Sequence, residues 1–126
     1  MKKLLSFLAV AFMSVAYGND TPDVVMKNGF NATLKADIEQ AIKYFYFKSE
    51  EAKQKHIQSL IDKLADEAKG MQTENGGIKS IKTSTISETD NVAEVKVVVT
   101  HKNGEVESFT KELKKIGNNW YIGVIE

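Results

Sequence analysis

Apolar residues recur with two different spacings along the chain, and the change between them divides it into a helical half and a strand half. Up to Gly70 they recur every three or four positions, the spacing of one face of an α-helix. From Gly76 to Ile125 they alternate with polar residues, the spacing of β-strands with one buried face. Helices followed by antiparallel strands predict a single α+β domain.

Capping residues mark the starts of the first two predicted helices. Thr21 followed by Pro22 begins the first helix, because the fixed φ of proline suits the first helical position, and this helix extends to about Leu34. Asp37 caps the second helix. Its apolar stripe consists of Ile38, Ala41, Ile42 and Phe45.

The third predicted helix is the longest. It follows the cap residue Ser49, runs from about Glu50 to Lys69 and ends before Gly70. Residues 72–77, which are polar and rich in glycine, then form a surface loop. The apolar stripe of this helix consists of Ile57, Leu60, Ile61, Leu64, Ala65 and Ala68.

Antiparallel strands joined by short turns are predicted after this loop. The first strand ends at the turn formed by residues 88–91, and its apolar residues are Ile78, Ile81 and Ile86. In the second, the inward positions are Ala93, Val95, Val97 and Val99. Asn103-Gly104 then predicts a type I′ hairpin, because both residues tolerate the positive φ angles that this turn needs.

The last strands complete a meander. The return strand from the hairpin, residues 106–116, has Phe109 and Leu113 on one face. After a turn at Gly117, a closing strand is predicted over residues 120–125, with Trp120, Ile122 and Val124 on one face.

The first 18 residues are typical of a secretory signal peptide. Lys2 and Lys3 precede an apolar run from Leu4 to Ala16, which is shorter than the roughly 20 residues needed to span a bilayer. Cleavage fits after Gly18 or after Ala16. The mature domain, residues 19–126, is therefore expected in the periplasm or outside the cell, and with no cysteine to carry a lipid it has no predicted membrane anchor.

Composition excludes several classes of function. The 17 basic residues are all lysine and balance 17 acidic residues, so the chain has neither the basic excess nor the guanidinium groups that favour nucleic-acid binding. The chain has no cysteine and therefore no thiolate nucleophile, thiolate metal site or disulfide. His56 and His101 are isolated, and His101, next to the hairpin, is expected to be exposed. We predict no metal and no cofactor.

Short motifs over nearly all of the mature chain carry a family resemblance. They are Thr21-Pro22-Asp23-Val24-Val25, residues 37–41 with Tyr44-Phe45, residues 77–81, residues 93–97 with Asn103-Gly104, and Leu113, Gly117 and Trp120. In these the chain resembles small exported bacterial domains of unknown function in the nuclear-transport-factor-2-like superfamily. The resemblance implies a cystatin-like cone, in which N-terminal helices and a curved antiparallel sheet enclose a pocket. Relatives in the superfamily include isomerases, dehydratases, transport adaptors, secretion components and immunity proteins, so the fold leaves function open.

Aromatic residues and one histidine are the candidates for binding a ligand in such a pocket. Four aromatic residues in succession, 44–47, cannot all face the core from one helix. The ordinary roles are core or rim for the tyrosines, a helix flank for His56 and a core seal for Trp120. The candidate set is Tyr44, Tyr46, Phe47, His56 and Trp120.

Three further apolar residues interrupt the polar side of the strands. Val98, Tyr121 and Ile125 would form a patch on the outer face of the sheet, suited to a homodimer or a protein partner. Isolated surface apolar residues are the equally ordinary alternative.

The sequence favours an exported, non-enzymatic module that binds a small apolar ligand or a protein. The first alternative is an isomerase- or dehydratase-type enzyme, which would need an acid or a histidine inside the pocket. The acids of the sheet, Glu94, Glu107 and Glu112, are expected to face solvent, so no catalytic residue is assigned. The second alternative is an envelope-assembly, secretion or immunity-type protein.

Overall fold

A computed structural model of the chain describes residues 20–126, so the predicted signal peptide lies outside the described residues. The helices are α1 (Pro22–Leu34), α2 (Ile38–Ile42) and α3 (Glu50–Thr73), with a 3₁₀ turn at Glu74–Gly76. The strands are β1 (Phe45–Phe47), β2 (Ile78–Glu88), β3 (Val92–His101), β4 (Val106–Ile116), β5 (Asn119–Tyr121) and β6 (Gly123–Ile125). Within residues 20–126, no helix is long and apolar enough to cross a membrane.

Four of the strands form an antiparallel meander in the order β2-β3-β4-β5, and β1 pairs with β6 in a separate parallel ribbon. The α+β prediction and the meander are confirmed. On one face, which we call the inner face, the register aligns Ile81 with Val99 and Val97 with Phe109. Helix α1 packs on this face, where the hydroxyl of Thr83 donates to the carbonyl oxygen of Asp23 at 2.8 Å.

The core lies between this inner face and α1. The predicted alternation in β3 is confirmed, because Ala93, Val95, Val97 and Val99 are all buried. Val25, Phe30, Leu113 and Trp120 join them in one cluster. Burying each valine, leucine or phenylalanine side chain of this cluster stabilises the fold by about 1.5–3 kcal/mol.

Two of the three predicted caps form a hydrogen bond. The hydroxyl of Ser49 accepts from the backbone N–H of Ala52 at 3.0 Å, and the Asp37 carboxylate accepts from that of Gln40 at 3.3 Å. Thr21 occupies the N-cap position of α1, but its side chain makes no capping bond. The start of α1 therefore depends on Pro22 and on packing.

Helix α2 is shorter than predicted. It ends at Ile42, and Phe45, expected on its apolar stripe, lies instead in β1. The physical reason is tertiary pairing, since Phe45 aligns with Gly123 of β6 and the carbonyl oxygen of Tyr44 accepts from the N–H of Ile122 at 2.7 Å.

Helix α3 is longer than predicted. It continues through Gly70 to Thr73, so the expected loop at residues 72–77 shortens to the 3₁₀ turn and its flanks. A glycine is tolerated inside a helix, although it weakens it. Of the predicted stripe, Leu60, Leu64 and Ala68 are buried, whereas Ala65 is exposed.

The hairpin between β3 and β4 is not a type I′ turn. Gly104 has a positive φ of 95°, but Asn103 does not, whereas a type I′ turn needs positive φ at both central residues. The N–H of Gly104 bonds to the carbonyl oxygen of His101 at 3.0 Å, and the N–H of His101 bonds to that of Glu105 at 2.8 Å. These bonds close a three-residue loop whose glycine takes the left-handed position.

The predicted closing strand is interrupted. Residues 119–121 pair with β4, whereas residues 123–125 leave that sheet and pair with β1. Ile122 lies between the two segments with its side chain in the core, so the expected inward face of Trp120 and Ile122 is retained.

Removal of the Ser49 hydroxyl tests the cap of α3. We expect Ser49→Ala to lower the free energy of unfolding by about 1 kcal/mol, because the N–H of Ala52 loses its partner. Thr21→Ala is the matched control and should change stability less, since its side chain makes no cap bond. Urea unfolding followed by circular dichroism measures both, and equal losses would contradict the assignment.

Two helical glycines should respond differently to alanine. At Gly70 the nearest described atom that a Cβ would meet, beyond its chain neighbours and the backbone of its own helix, is Glu74 Oε2 at 3.6 Å. Gly70→Ala should therefore stabilise the protein by about 0.5–1 kcal/mol. At Gly29 a Cβ would collide with Cδ1 of Ile122, so Gly29→Ala should give no such gain. The comparison uses the same unfolding measurement, and a larger gain at Gly29 would be inconsistent with this packing.

Candidate functional site

A cavity of about 550 Å³ lies between α1, α3 and the inner face of the sheet. Its buried lining is apolar and includes Met26, Phe30, Leu60, Leu64, Val99 and Ile122. Phe109 stacks on Phe30 with ring centroids 6.4 Å apart, and its side chain lines the same space while remaining 39% exposed. The cavity thus reaches from the core to solvent beside β4.

His101 is one of two buried polar residues that line this cavity in the described part of the chain, the other being Thr33. Its imidazole lines the cavity, and the residue is only 4% exposed, so the expectation that His101 would be exposed is wrong. The reason is its register: it follows Ala93, Val95, Val97 and Val99 at the next inward position of β3. Extending the predicted alternation of β3 by two residues beyond Val99 would have predicted that His101 faces inward.

Glu107 is the partner of this histidine. Its Oε2 lies 3.1 Å from Nε2 of His101, and it lines the cavity as well. Its side chain is 60% exposed, as the prediction that Glu107 faces solvent expected, but the prediction did not place it at a cavity. In the register Glu107 aligns with Val99, so it stands on the inner face, next to the end of β3.

The contact fixes the proton arrangement of the imidazole. A carboxylate only accepts hydrogen bonds, so Nε2 of His101 carries the hydrogen that Glu107 receives. Nδ1 is buried and has no hydrogen-bond partner among the described residues. In the neutral ring this nitrogen is an acceptor with nothing to accept from.

Charged side chains surround the exposed part of the cavity. The acids are Asp66, Glu67, Glu74 and Glu107, and the bases are Lys63 and Lys111. Four carboxylates against two ammonium groups leave this rim with an excess of negative charge. Across residues 20–126, the acids and histidines form no cluster of three or more that could hold a metal ion.

None of the five predicted ligand-binding residues lines this cavity. Tyr44 and Trp120 are buried in the main core, and Phe47 packs on the smaller cluster formed by α1, α2 and α3. The ring of Tyr46 lies 5.3 Å from that of Tyr121, and His56 is half-buried on α3. From the aromatic run it is Phe45 that reaches the cavity, because β1 turns it toward α3.

The three interface candidates do not form one patch. Val98 aligns with Ser108 and Tyr121 with Lys114, so they are six positions apart along β4, or roughly 20 Å at about 3.3 Å per residue. Ile125 is half-buried in the β1–β6 ribbon. Association of two chains through this face stays a prediction.

Comparison with known proteins agrees with this architecture. The family described as a domain of unknown function, DUF4878, matches residues 15–123. A structure from Campylobacter jejuni, provisionally described as an NTF2-like transpeptidase, superimposes with a TM-score of 0.71 at 21% identity, covering 85% of this chain and 100% of that one. No curated protein matches the sequence. The chain has the nuclear-transport-factor-2-like fold and belongs to the DUF4878 family, a domain of unknown function.

Proposed function

We propose that the exported domain binds a small, largely apolar molecule in the cavity between α1, α3 and the sheet. The observation that carries the proposal is the cavity itself, about 550 Å³ in volume, with a mostly apolar buried lining and a polar pair formed by buried His101 and partly exposed Glu107. Binding sites for small molecules commonly combine a concave apolar wall with a few fixed polar groups. Export follows from the signal peptide predicted for residues 1–18 and belongs to the same proposal.

The lining supports burial of an apolar ligand. Leu60 and Leu64 of α3 face Met26 and Phe30 of α1 across the space, with Val99 and Ile122 on the sheet side. A ligand that removes this surface from water gains about 25 cal/mol for each Å² of apolar area covered. Met26 and Met71 both line the cavity, and their flexible thioether side chains adapt to ligands of different shape.

Acyl transfer has little support from this lining. The chain contains no cysteine, and the only hydroxyl side chain among the described lining residues is that of Thr33. That hydroxyl donates to the carbonyl oxygen of Gly29 at 3.0 Å, a contact within its own helix. A hydroxyl nucleophile needs a neighbouring base that takes its proton, and a backbone carbonyl oxygen is not such a base. The transpeptidase description of the similar structure is therefore not carried over to this chain.

Proton transfer is the second candidate, favoured by the His101–Glu107 pair. A histidine oriented by a carboxylate inside an apolar cavity is an arrangement used in general acid–base catalysis. A substrate would have little access to the imidazole nitrogens, because Nε2 already bonds to Glu107 and Nδ1 is buried from solvent. We therefore rank binding above catalysis.

Filling the cavity tests the binding function. We expect the mature protein to bind the neutral fluorescent probe N-phenylnaphthylamine, with a rise in emission as the probe leaves water. Met71→Trp, which adds bulk at a half-buried lining position, should weaken binding by about tenfold through overpacking.

The control adds the same bulk elsewhere on the same helix. Ala65 of α3 is exposed and is not part of the lining, so Ala65→Trp should bind the probe like the wild type. Fluorescence titration measures both variants, after circular dichroism has shown that they are folded. Absence of probe binding by the wild type, or equal losses in the two variants, would count against the proposal.

A further inference from the structure

We propose that the ligand of this cavity is a cationic amphiphile, whose protonated amine contacts Glu107 while its apolar body fills the space between α1, α3 and the sheet. This inference rests on the proposed function and specifies its ligand class. It depends on three observations: the position of Glu107, the buried support behind it and the charge around the rim.

Glu107 stands where the apolar lining meets solvent. Its side chain is 60% exposed but belongs to the cavity wall, beside the partly exposed ring of Phe109 on the same face of β4. Its Oε2 is engaged by His101, and no described residue hydrogen bonds its Oε1. One carboxylate oxygen is thus available to a ligand whose apolar part lies deeper in the cavity.

His101 is the positioning residue for this carboxylate. The imidazole is buried at the end of β3, so its Nε2–H meets Glu107 from a fixed place, and a fixed carboxylate loses less freedom when a ligand binds. Packing alone does not explain the histidine, because its unpartnered Nδ1 is unfavourable in the core and an apolar residue would fill the site without that penalty. Its role is accounted for by the bond to Glu107.

The rim selects against anions. Asp66, Glu67 and Glu74 of the α3 side join Glu107 of the sheet side, against only Lys63 and Lys111. A carboxylate head group would approach this excess of negative charge, whereas an ammonium group would be attracted to it. The acids are too dispersed for a metal ion among the described residues, so an organic cation fits them better than a metal.

The test compares three ligands with one alkyl chain and different head groups. Decylamine, decanol and decanoate are titrated against the wild type below their micelle-forming concentrations, by displacement of N-phenylnaphthylamine. We expect decylamine to bind about tenfold more tightly than decanoate, the change that one charge-assisted hydrogen bond brings, with decanol between them.

Removing the charge of Glu107 tests whether this carboxylate causes the preference for decylamine. Glu107→Gln should reduce the preference for decylamine over decanoate by about tenfold and should change the affinity for neutral decanol much less. Glu105→Gln is the matched control, since Glu105 belongs to the same hairpin and has the same charge but does not line the cavity. It should leave the preference intact, and equal effects of the two substitutions would overturn the assignment to Glu107.

Two substitutions of His101 separate positioning from packing. His101→Gln keeps an N–H donor that can reach Glu107 and should retain most of the amine preference, whereas His101→Leu removes the donor and should lose it. Both variants lose the imidazole ring. If His101 only filled space, the two substitutions would therefore change the amine preference equally. Thermal unfolding of each variant establishes that it is folded.

The outcomes distinguish the inference from the function on which it rests. If the wild type binds the neutral probe and decanol but prefers decanoate, or shows no preference, the ligand class is wrong and the binding function remains. If neither the probe nor any of the three amphiphiles binds, both are wrong.

Discussion

Burial of the inner face of β3 fixes the strand register and the packing of the helices on the sheet. This strand lies between β2 and β4, and its inward residues from Ala93 to His101 are buried along its whole length. A slip of one residue would turn Glu94 and Lys96 into the core, so the register of both neighbouring strands is strongly specified. Helix α1 covers this face, and β5 and Ile122 close it from the end of the chain.

The cavity exists because the helices cover β4 unevenly. At one end of this strand Leu113 is fully buried, whereas Phe109 on the same face is 39% exposed and Glu107 lies at the rim. Helix α3 faces this region with Leu60 and Leu64, and Gly70 adds no side chain there. An uncovered stretch of inner face next to a continuous core is what gives the space its apolar wall and its charged edge.

A polar pair at the end of a buried row gives this space its chemistry. His101 continues the inward row of β3 beyond Val99, and Glu107 comes back to the same place from the other side of the hairpin. The three-residue loop at Lys102–Gly104 sets this return, because the hydrogen bonds from Gly104 to His101 and from His101 to Glu105 fix how β4 aligns. The hairpin therefore positions the pair as well as reversing the chain.

Elements with local signals can be predicted from the amino-acid sequence alone. The alternation of Ala93 to Val99 and the caps at Asp37 and Ser49 act within a few residues, so they could be interpreted without knowing the fold. Features that depend on residues distant in the chain follow only from the packing of the folded domain. The aromatic run became a strand because β6 pairs with it, and Tyr44 and Trp120 were drawn into the core while Phe45 reached the cavity. His101 and Glu107 meet at the cavity because the inner face of the sheet is buried only in part, a property of packing between elements that no single stretch of sequence contains.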